Sequence, residues 1–224
     1  MAAWYPLLLD IEGKRCVVFG GGPVAERKIG GLLDAGARVR VVSPQLTSGL
    51  RRLADERRLE WLPKTAEASD LEGAVLAFAA SGDPGANRRI AEEAKRAGIP
   101  VNVADEGETG DFICPAVLRR GRFVLAASAS GAGPALASRV IRELSERYGP
   151  EYGEYAEALR RIRAVVKSYV KDPGERRRLL AAAADEAALR EGLAEEASGP
   201  ADPARLIERL RELAGRTGED RDNR

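Results

Sequence analysis

Short apolar runs alternate with helical patterns of apolar residues through the first half of the chain. The runs are rich in β-branched and aromatic residues, which is typical of buried strands, and they cover residues 15–20, 38–43, 59–62, 74–79 and 100–103. Between them, apolar residues recur on one helix face, most clearly over residues 23–35, where Gly36 marks the end. This alternation predicts an α/β fold in which a parallel sheet carries helices on both faces.

The pattern changes after this α/β region, which we predict to span residues 1–111. Two apolar runs, 112–118 and 123–127, flank a charged turn that contains Gly121, and they predict a β-hairpin followed by a helix. Beyond Gly149 the chain is rich in Ala, Arg, Glu and Leu, with apolar residues at helical spacing. We therefore expect a small α+β segment over 112–149, a helical domain over 150–214 and a disordered polar tail over 215–224.

Charge and composition exclude several classes of function. The 224 residues include 36 Lys+Arg, 35 Asp+Glu and no histidine, which gives a net charge of +1. A nearly neutral chain argues against a nucleic-acid partner, and no apolar run is long enough to span a membrane. Without histidine, neither a Ser-His-Asp triad nor a histidine metal site can form, and we predict no metal site. Acid–base chemistry must come from carboxylates, Lys, Tyr, Cys or a cofactor.

The two cysteines and the first residues of the chain bear on its cellular compartment. Cys16 and Cys114 lie far apart and form no CxxC motif, which suits a reducing cytosol. Each lies in an apolar run, so both are expected to be buried. The N-terminal segment has no charged leader or cleavage pattern. We predict a cytoplasmic protein.

A glycine-rich loop between the first strand and the first helix is the clearest candidate for binding chemistry. It fits G-x-G-x-x-A and consists of Gly20, Gly21, Gly22, Pro23, Val24 and Ala25. The first glycine allows a tight turn, the glycine at the third position lets the backbone approach a pyrophosphate, and the small Ala25 permits close helix–strand packing. This arrangement predicts a dinucleotide site, with NAD as the cofactor. A glycine-rich turn that binds no nucleotide is the alternative.

The other strand ends predict how that cofactor would lie. The second strand ends in Ser43 and Pro44, so the acid that would select NAD is missing there. No Arg lies at the strand end to bind the 2′-phosphate of NADP either. NAD is therefore favoured, and NADP is not excluded. The small Ala80 and Ser81 after the fourth strand leave room for the nicotinamide half. Because ligands bind outside the carboxyl ends of parallel strands, Val103 and Asp105 are expected at the same crevice. From its position alone, Asp105 is equally well a solvated loop carboxylate.

Ordered motifs along residues 4–150 resemble those of a known family. They are YPLLLDIEGK from Tyr5, GGGPVAERK from Gly20, VVSP from Val41, DPGANRRIAEEAKRAGIPVNVAD from Asp83, DFICPAVLRRG from Asp111 and SASGAGPALA from Ser128. Together they resemble the precorrin-2 dehydrogenase / sirohydrochlorin ferrochelatase family, the NAD-dependent module of sirohaem synthesis. The helical segment from Glu151 to about Asp185 is similar to the family's C-terminal region.

The resemblance implies an activity, a site and an assembly. In the family, precorrin-2, a reduced tetrapyrrole with eight carboxylates, is oxidised by NAD to sirohydrochlorin, and some members then insert Fe²⁺. Asp105 matches the family's proposed catalytic carboxylate, and a carboxylate can accept the proton left by hydride removal. The segment 112–127 matches the part through which partners form a homodimer. The implied substrate-binding residues are Asn102, Ser128, Arg119 and Arg120, whose guanidinium groups suit carboxylates.

Several departures from the family pattern keep other functions in view. Ser130 stands where the family has a glycine, Gly133 where it has a serine, and Gly110 where it often has a cysteine. These changes bear on metal insertion more than on dehydrogenation. Two alternatives stay open: a tetrapyrrole metal chelatase without dehydrogenase activity, and a non-enzymatic module that senses NAD(H). The first would not need an intact glycine loop, and the second would not need Asp105.

Overall fold

The computed structural model describes residues 4–104, 109–194 and 202–222. Its backbone divides into two units, which are described separately. The first contains residues 1–114 and 128–133, and the second contains residues 115–127 and 134–224. Asp105, the predicted catalytic residue, lies outside the described residues.

Five parallel strands form the sheet of the first unit. They are β1 (Arg15–Phe19), β2 (Arg38–Val42), β3 (Glu60–Leu62), β4 (Ala74–Ala79) and β5 (Val101–Val103). Their order is β3-β2-β1-β4-β5, so the chain reverses its direction of winding between β1 and β4. Phe19 is in register with Val42 and Ala79, and Ala79 with Val103. The carboxyl ends of four strands therefore meet at one edge, where ligands bind in folds of this type.

Helices cover both faces of this sheet because the strands are apolar on both sides. They are α1 (Pro23–Asp34), α2 (Ser48–Asp55) and α3 (Pro84–Arg96), with a 3-10 turn at Ala68–Leu71. In β1, Cys16 and Val18 pack into the core that includes α1, whereas Val17 and Phe19 pack into the core that includes α3. All four side chains are almost completely buried, as expected for a parallel strand with a helical layer on each side. The predicted α/β fold is confirmed.

The second unit combines a hairpin with helices. The antiparallel strands β6 (Ala116–Arg120) and β7 (Phe123–Ala127) are followed by α4 (Pro134–Arg147), α5 (Glu151–Tyr169), α6 (Pro173–Ala183), the short α7 (Glu186–Ala188), a π turn at Leu189–Leu193, and α8 (Pro203–Asp222). Ile162, Val166, Leu179 and Leu210 are buried in one helical core. No described helix is long and apolar enough to cross a membrane.

Two local features differ from the sequence-based expectations. Residues 112–115 are not part of the hairpin, because the Phe112 carbonyl accepts a hydrogen bond from Asn102 Nδ2 at 2.9 Å, and β6 begins only after Pro115. The polar stretch from Gly215 to Asp222 is helical and continues α8, whereas we expected a disordered tail from Gly215. A polar sequence is compatible with either state, and the buried Leu206 and Leu210 fix the first half of this helix.

Candidate functional site

Hydrogen bonds to the ends of the neighbouring strands fix the glycine loop. Gly20 N donates to Val42 O at 3.0 Å, and Ala80 N donates to Phe19 O at 2.8 Å, so the loop lies between β2 and β4. Gly20 has a φ of +122°, which favours glycine, and a Cβ there would lie 2.9 Å from Ser81 N. The predicted role of Gly20 in a tight turn agrees with this geometry.

The second and third glycines have different surroundings. A Cβ on Gly21 would collide with the Gln45 carbonyl and lie 2.9 Å from Ser43 Oγ, so packing under the β2–α2 loop explains this glycine. A Cβ on Gly22 would meet nothing within 4 Å, and the backbone there is open. We predicted cofactor contact for both positions, but the geometry favours it only at Gly22.

The N-terminus of α1 faces that open backbone. Gly22 is the N-cap and has no capping side chain, Pro23 occupies the first turn, and Ala25 is fully buried against the sheet. The free backbone N–H groups of a helix N-terminus bind anions, and the side chain that would otherwise satisfy them is missing here. The loop therefore fits a dinucleotide pyrophosphate. Val24 lies beside Pro23 in a shallow surface hollow.

A pocket of about 460 Å³ lies next to the glycine loop at the ends of β1, β2 and β4. It brings together four predicted cofactor residues: Gly20, Ser43, Pro44 and Ser81. Ser43 is buried, and its Oγ donates to Gln45 O at 2.7 Å, which holds the turn after β2. The volume and position suit the adenosine half of a dinucleotide.

Asn87 fixes Ser81 in this pocket wall. Asn87 Oδ1 accepts hydrogen bonds from Ser81 N at 3.0 Å and Ser81 Oγ at 2.7 Å, while its Nδ2 donates to Ser81 O at 3.1 Å. Asn87 is only 4% exposed although it lies in α3. We did not predict it, yet a polar residue on the buried face of a helical pattern is a signal that could have revealed it.

The cations near the nucleotide pocket differ in their partners. The Arg40 guanidinium binds Glu60 through Nε at 2.8 Å and Nη2 at 3.1 Å, and this hydrogen bonding raises the pKa of Arg40. Lys64 lies 2.8 Å from Glu67 and 3.1 Å from Asp70, and its pKa is raised by both. Because Arg40 is held by Glu60, it is poorly placed to select a 2′-phosphate.

A second polar group lies at β5, on the α1 side of the sheet. Lys28 Nζ donates to Asn102 Oδ1 at 2.6 Å, and the ammonium lies 5.9 Å from the centroid of the Phe78 ring. Asn102 is 4% exposed, so its amide is fixed between Lys28 and the Phe112 carbonyl. Phe78 and Phe112 meet edge to face at 5.4 Å. Sequence reasoning predicted Asn102 but missed Lys28.

The segment after β5 returns to the same strand. Asp111 N donates to Val101 O at 2.7 Å, and Val101 N donates to the Asp111 carboxylate at 3.0 Å. Ala104 N donates to Ala79 O at 2.8 Å, which fixes the other end, and Val103 is buried. The stretch that contains Asp105 thus starts and finishes at positions tied to the sheet.

The two cysteines differ from one another. Cys16 is fully buried, as expected, and burial raises its pKa to about 11. Cys114 is exposed, so that prediction is wrong. Its Sγ lies 4.0 Å from Lys28 Nζ; partial burial of the thiol raises its pKa, and Lys28 lowers it.

The remaining predicted substrate residues are not brought to this group by any described contact. Ser128 is exposed in the first unit, and its Oγ accepts a hydrogen bond from Ser130 N at 3.1 Å. Arg119 and Arg120 belong to the hairpin of the second unit, where Arg120 Nε donates to Tyr148 O at 3.4 Å. Across residues 4–104, 109–194 and 202–222, no cluster of three or more His, Cys, Asp or Glu side chains could hold a metal ion.

Comparison with known proteins adds independent support to this geometry. The family model described as "Putative NAD(P)-binding" matches residues 7–116. The chain is 41% identical over 176 residues to a sirohaem synthase of Neisseria meningitidis serogroup C, covering 78% of this chain and 36% of that protein. It is 42% identical over 178 residues to the sirohaem synthase of Nitrosospira multiformis, covering 77% and 38%.

A solved structure matches most of the chain. SirC, a precorrin-2 dehydrogenase, is 25% identical and superposes with a TM-score of 0.71, covering 93% of this chain and 100% of that one. These matches support the family that the sequence motifs resemble, the precorrin-2 dehydrogenase / sirohydrochlorin ferrochelatase family. The predicted Rossmann fold, with NAD as its cofactor, is confirmed by these matches. The chain spans little more than a third of the length of the sirohaem synthases it matches.

Proposed function

We propose that this chain catalyses the NAD-dependent oxidation of precorrin-2 to sirohydrochlorin in sirohaem biosynthesis. The observation that carries the proposal is the arrangement at one sheet edge, where an open glycine loop and an uncapped helix N-terminus stand beside the strand end that leads to Asp105. The matches to sirohaem synthases and to SirC point to the same reaction.

Different residues along this edge bind the cofactor and accept the proton. NAD, when bound, would be the hydride acceptor. Backbone N–H groups at Gly22 and in the first turn of α1 bind the pyrophosphate, and the small Ala80 leaves room beside β4. Precorrin-2 loses a hydride and a proton, and the Asp105 carboxylate accepts the proton. With no histidine in the chain, a carboxylate is the natural base at this position.

Substrate binding and assembly are further parts of the proposal. Ser128, Arg119 and Arg120 bind carboxylate arms of precorrin-2, and Asn102 contributes by holding its neighbours in place. The chain acts as a homodimer, and the exposed apolar side chains of residues 5–9 and of Val117 supply surface that a second copy would bury. Fe²⁺ is a candidate second substrate, and a cytoplasmic location stays a prediction. Light scattering on the purified protein would test the dimer.

An anaerobic assay tests the central reaction. Purified protein, precorrin-2 and NAD are mixed, and NADH absorbance and the sirohydrochlorin spectrum are followed together. We expect both signals to rise in equal amounts with the wild type. With Asp105→Ala, turnover should fall by at least about 100-fold, the usual contribution of a general base, while NAD still binds. Fe²⁺ added afterwards would reveal metal insertion as a separate change in the spectrum.

Two results would replace the proposal with the alternatives. If NAD binds but no NADH forms, the chain is not the dehydrogenase, and NAD sensing becomes the better account. If Fe²⁺ enters sirohydrochlorin without any NAD-dependent step, the chain is a chelatase. Equal turnover of the wild type and Asp105→Ala would remove Asp105 from the catalytic role without removing the reaction.

A further inference from the structure

Lys28 is a half-buried cation whose described partners are neutral. It extends from the second turn of α1 across β4, and its ammonium donates to Asn102 Oδ1 at 2.6 Å. Its other neighbours are the Phe78 ring and Cys114 Sγ, at 5.9 Å and 4.0 Å. Within the described part of the chain, no carboxylate forms an ion pair with it, in contrast to Lys64 or Arg40.

This setting is unusual because a cation beside aromatic rings loses part of its hydration. Such a group is stabilised when an anion completes its environment. An ammonium has three donors, and the described residues accept from two of them at most, through Asn102 Oδ1 at 2.6 Å and the distant Cys114 Sγ at 4.0 Å. The bond to Asn102 also fixes where the ammonium lies, because Asn102 is held in turn by the Phe112 carbonyl. Lys28 is therefore a positioned cation with a donor that no described residue uses.

We propose that Lys28 binds a carboxylate arm of the acidic tetrapyrrole at the β5 end of the crevice. This inference rests on the proposed function, because that function supplies a ligand with eight carboxylates. Asn102 acts as a positioning residue that holds the ammonium, and the paired Phe78 and Phe112 rings form an apolar wall beside it. Charge rather than shape determines recognition at this point.

A carboxylate fits the site better than a cofactor phosphate does. The pyrophosphate-binding backbone at Gly22 precedes α1, whereas Lys28 lies further along the helix and contacts β5, which is separated from β2 by two strands. A single ammonium that also holds an amide oxygen suits one monovalent arm of a ligand. Loss of Lys28 should therefore weaken tetrapyrrole binding and leave NAD binding intact.

The test measures binding directly. An octacarboxylate porphyrin is titrated into the wild type, Lys28→Gln and Lys28→Met, and the dissociation constant is read from fluorescence. We expect both variants to bind at least about 10-fold more weakly, the usual loss for a hydrogen bond to a charged group. Lys28→Gln keeps a donor for Asn102, so its effect reports the charge. Lys14→Met is the control, because this exposed lysine lies before β1, at the opposite edge of the sheet.

The outcomes separate this inference from the proposed function. If Lys28→Gln melts like the wild type and binds NAD normally but loses the porphyrin, the inference stands. Equal porphyrin affinity in the wild type and both Lys28 variants would overturn it, even if precorrin-2 turnover by the wild type is intact. Absent turnover with porphyrin binding that still depends on Lys28 would overturn the proposed function and leave the inference. A fall in turnover alone, with porphyrin binding unchanged, also contradicts it.

Discussion

The two ends of the crevice present different binding groups, backbone N–H groups at one end and side chains at the other. At the nucleotide end, glycines and an uncapped helix N-terminus present backbone N–H groups, and the Ser43 and Ser81 hydroxyls nearby already donate to the Gln45 carbonyl and to Asn87 Oδ1. At the β5 end, side chains carry the binding groups, and Lys28 has a neutral partner in Asn102. The first end relies on close backbone approach, and the second relies on a positioned charge. Substitutions should therefore weaken binding by steric exclusion at the nucleotide end and by loss of charge at the β5 end.

The largest effect is expected from Gly20→Ala. With φ at +122°, a Cβ would lie 2.6 Å from the Ala80 carbonyl carbon, so the loop must move away from β4. We expect loss of NAD binding and a drop of about 3 kcal/mol or more in the free energy of unfolding, since strain and a steric clash add. Calorimetric NAD titration and urea unfolding would measure both.

A matched glycine on α1 provides the control for that substitution. Gly30 lies within the helix, and a Cβ there meets nothing within 4 Å. Gly30→Ala should keep NAD affinity and raise stability by about 0.5–1 kcal/mol through helix propensity. Similar NAD affinities for Gly20→Ala and Gly30→Ala would contradict the role assigned to the loop.

The next effect is expected at the pocket wall. Asn87→Ala removes three hydrogen bonds to Ser81 and leaves its partly buried backbone N–H and C=O without their partner, which should destabilise the protein by about 1–3 kcal/mol. The KM for NAD should rise about 10-fold, whereas porphyrin affinity should stay unchanged. Steady-state kinetics would measure the KM for NAD, and the porphyrin titration would measure the porphyrin affinity. A change in porphyrin affinity would mean that binding at one end of the crevice depends on the other end.

A smaller effect concerns stability at high pH. The Cys16 thiol has an ordinary pKa of 9.0 and about 11 in the fold, so the folded state holds the proton more tightly. The protonated thiol contributes about 2–3 kcal/mol to the free energy of unfolding. This contribution is complete below pH 9 and is lost as the pH rises towards 11. Between these pH values, Cys16→Ala should lose less unfolding free energy than the wild type. Cys114→Ala is the comparison variant and should follow the wild type more closely.

The smallest effect is expected from Arg40→Gln. Because the guanidinium is held by Glu60, it is not available for a 2′-phosphate, and the ratio of kcat/KM for NAD and NADP should change less than about 2-fold. Parallel assays with the two cofactors would measure the ratio. A selective loss of NADP turnover would show that Arg40 leaves Glu60 when the cofactor binds.

The nucleotide end was more readable from the sequence than the β5 end. A glycine loop is local, so Gly20 and Ala25 signal their roles by spacing alone, and their surroundings agree. Lys28 and Asn102 are 74 residues apart and meet only through the strand order, which no spacing reveals. The helical continuation of α8 past Gly215 was missed because a polar helix and a polar tail have the same composition. The hairpin start was placed too early because Phe112 is apolar but packs against Phe78.

A crossed titration tests the division between the two ends most directly. Gly22→Ala and Lys28→Gln are each titrated with NAD and with the octacarboxylate porphyrin, alongside the wild type. We predict that Gly22→Ala loses NAD affinity and keeps porphyrin affinity, because its Cβ enters open space where only the cofactor would lie. Lys28→Gln should show the reverse. If both variants lose both ligands in equal measure, or if neither affinity depends on its own end, the account is contradicted.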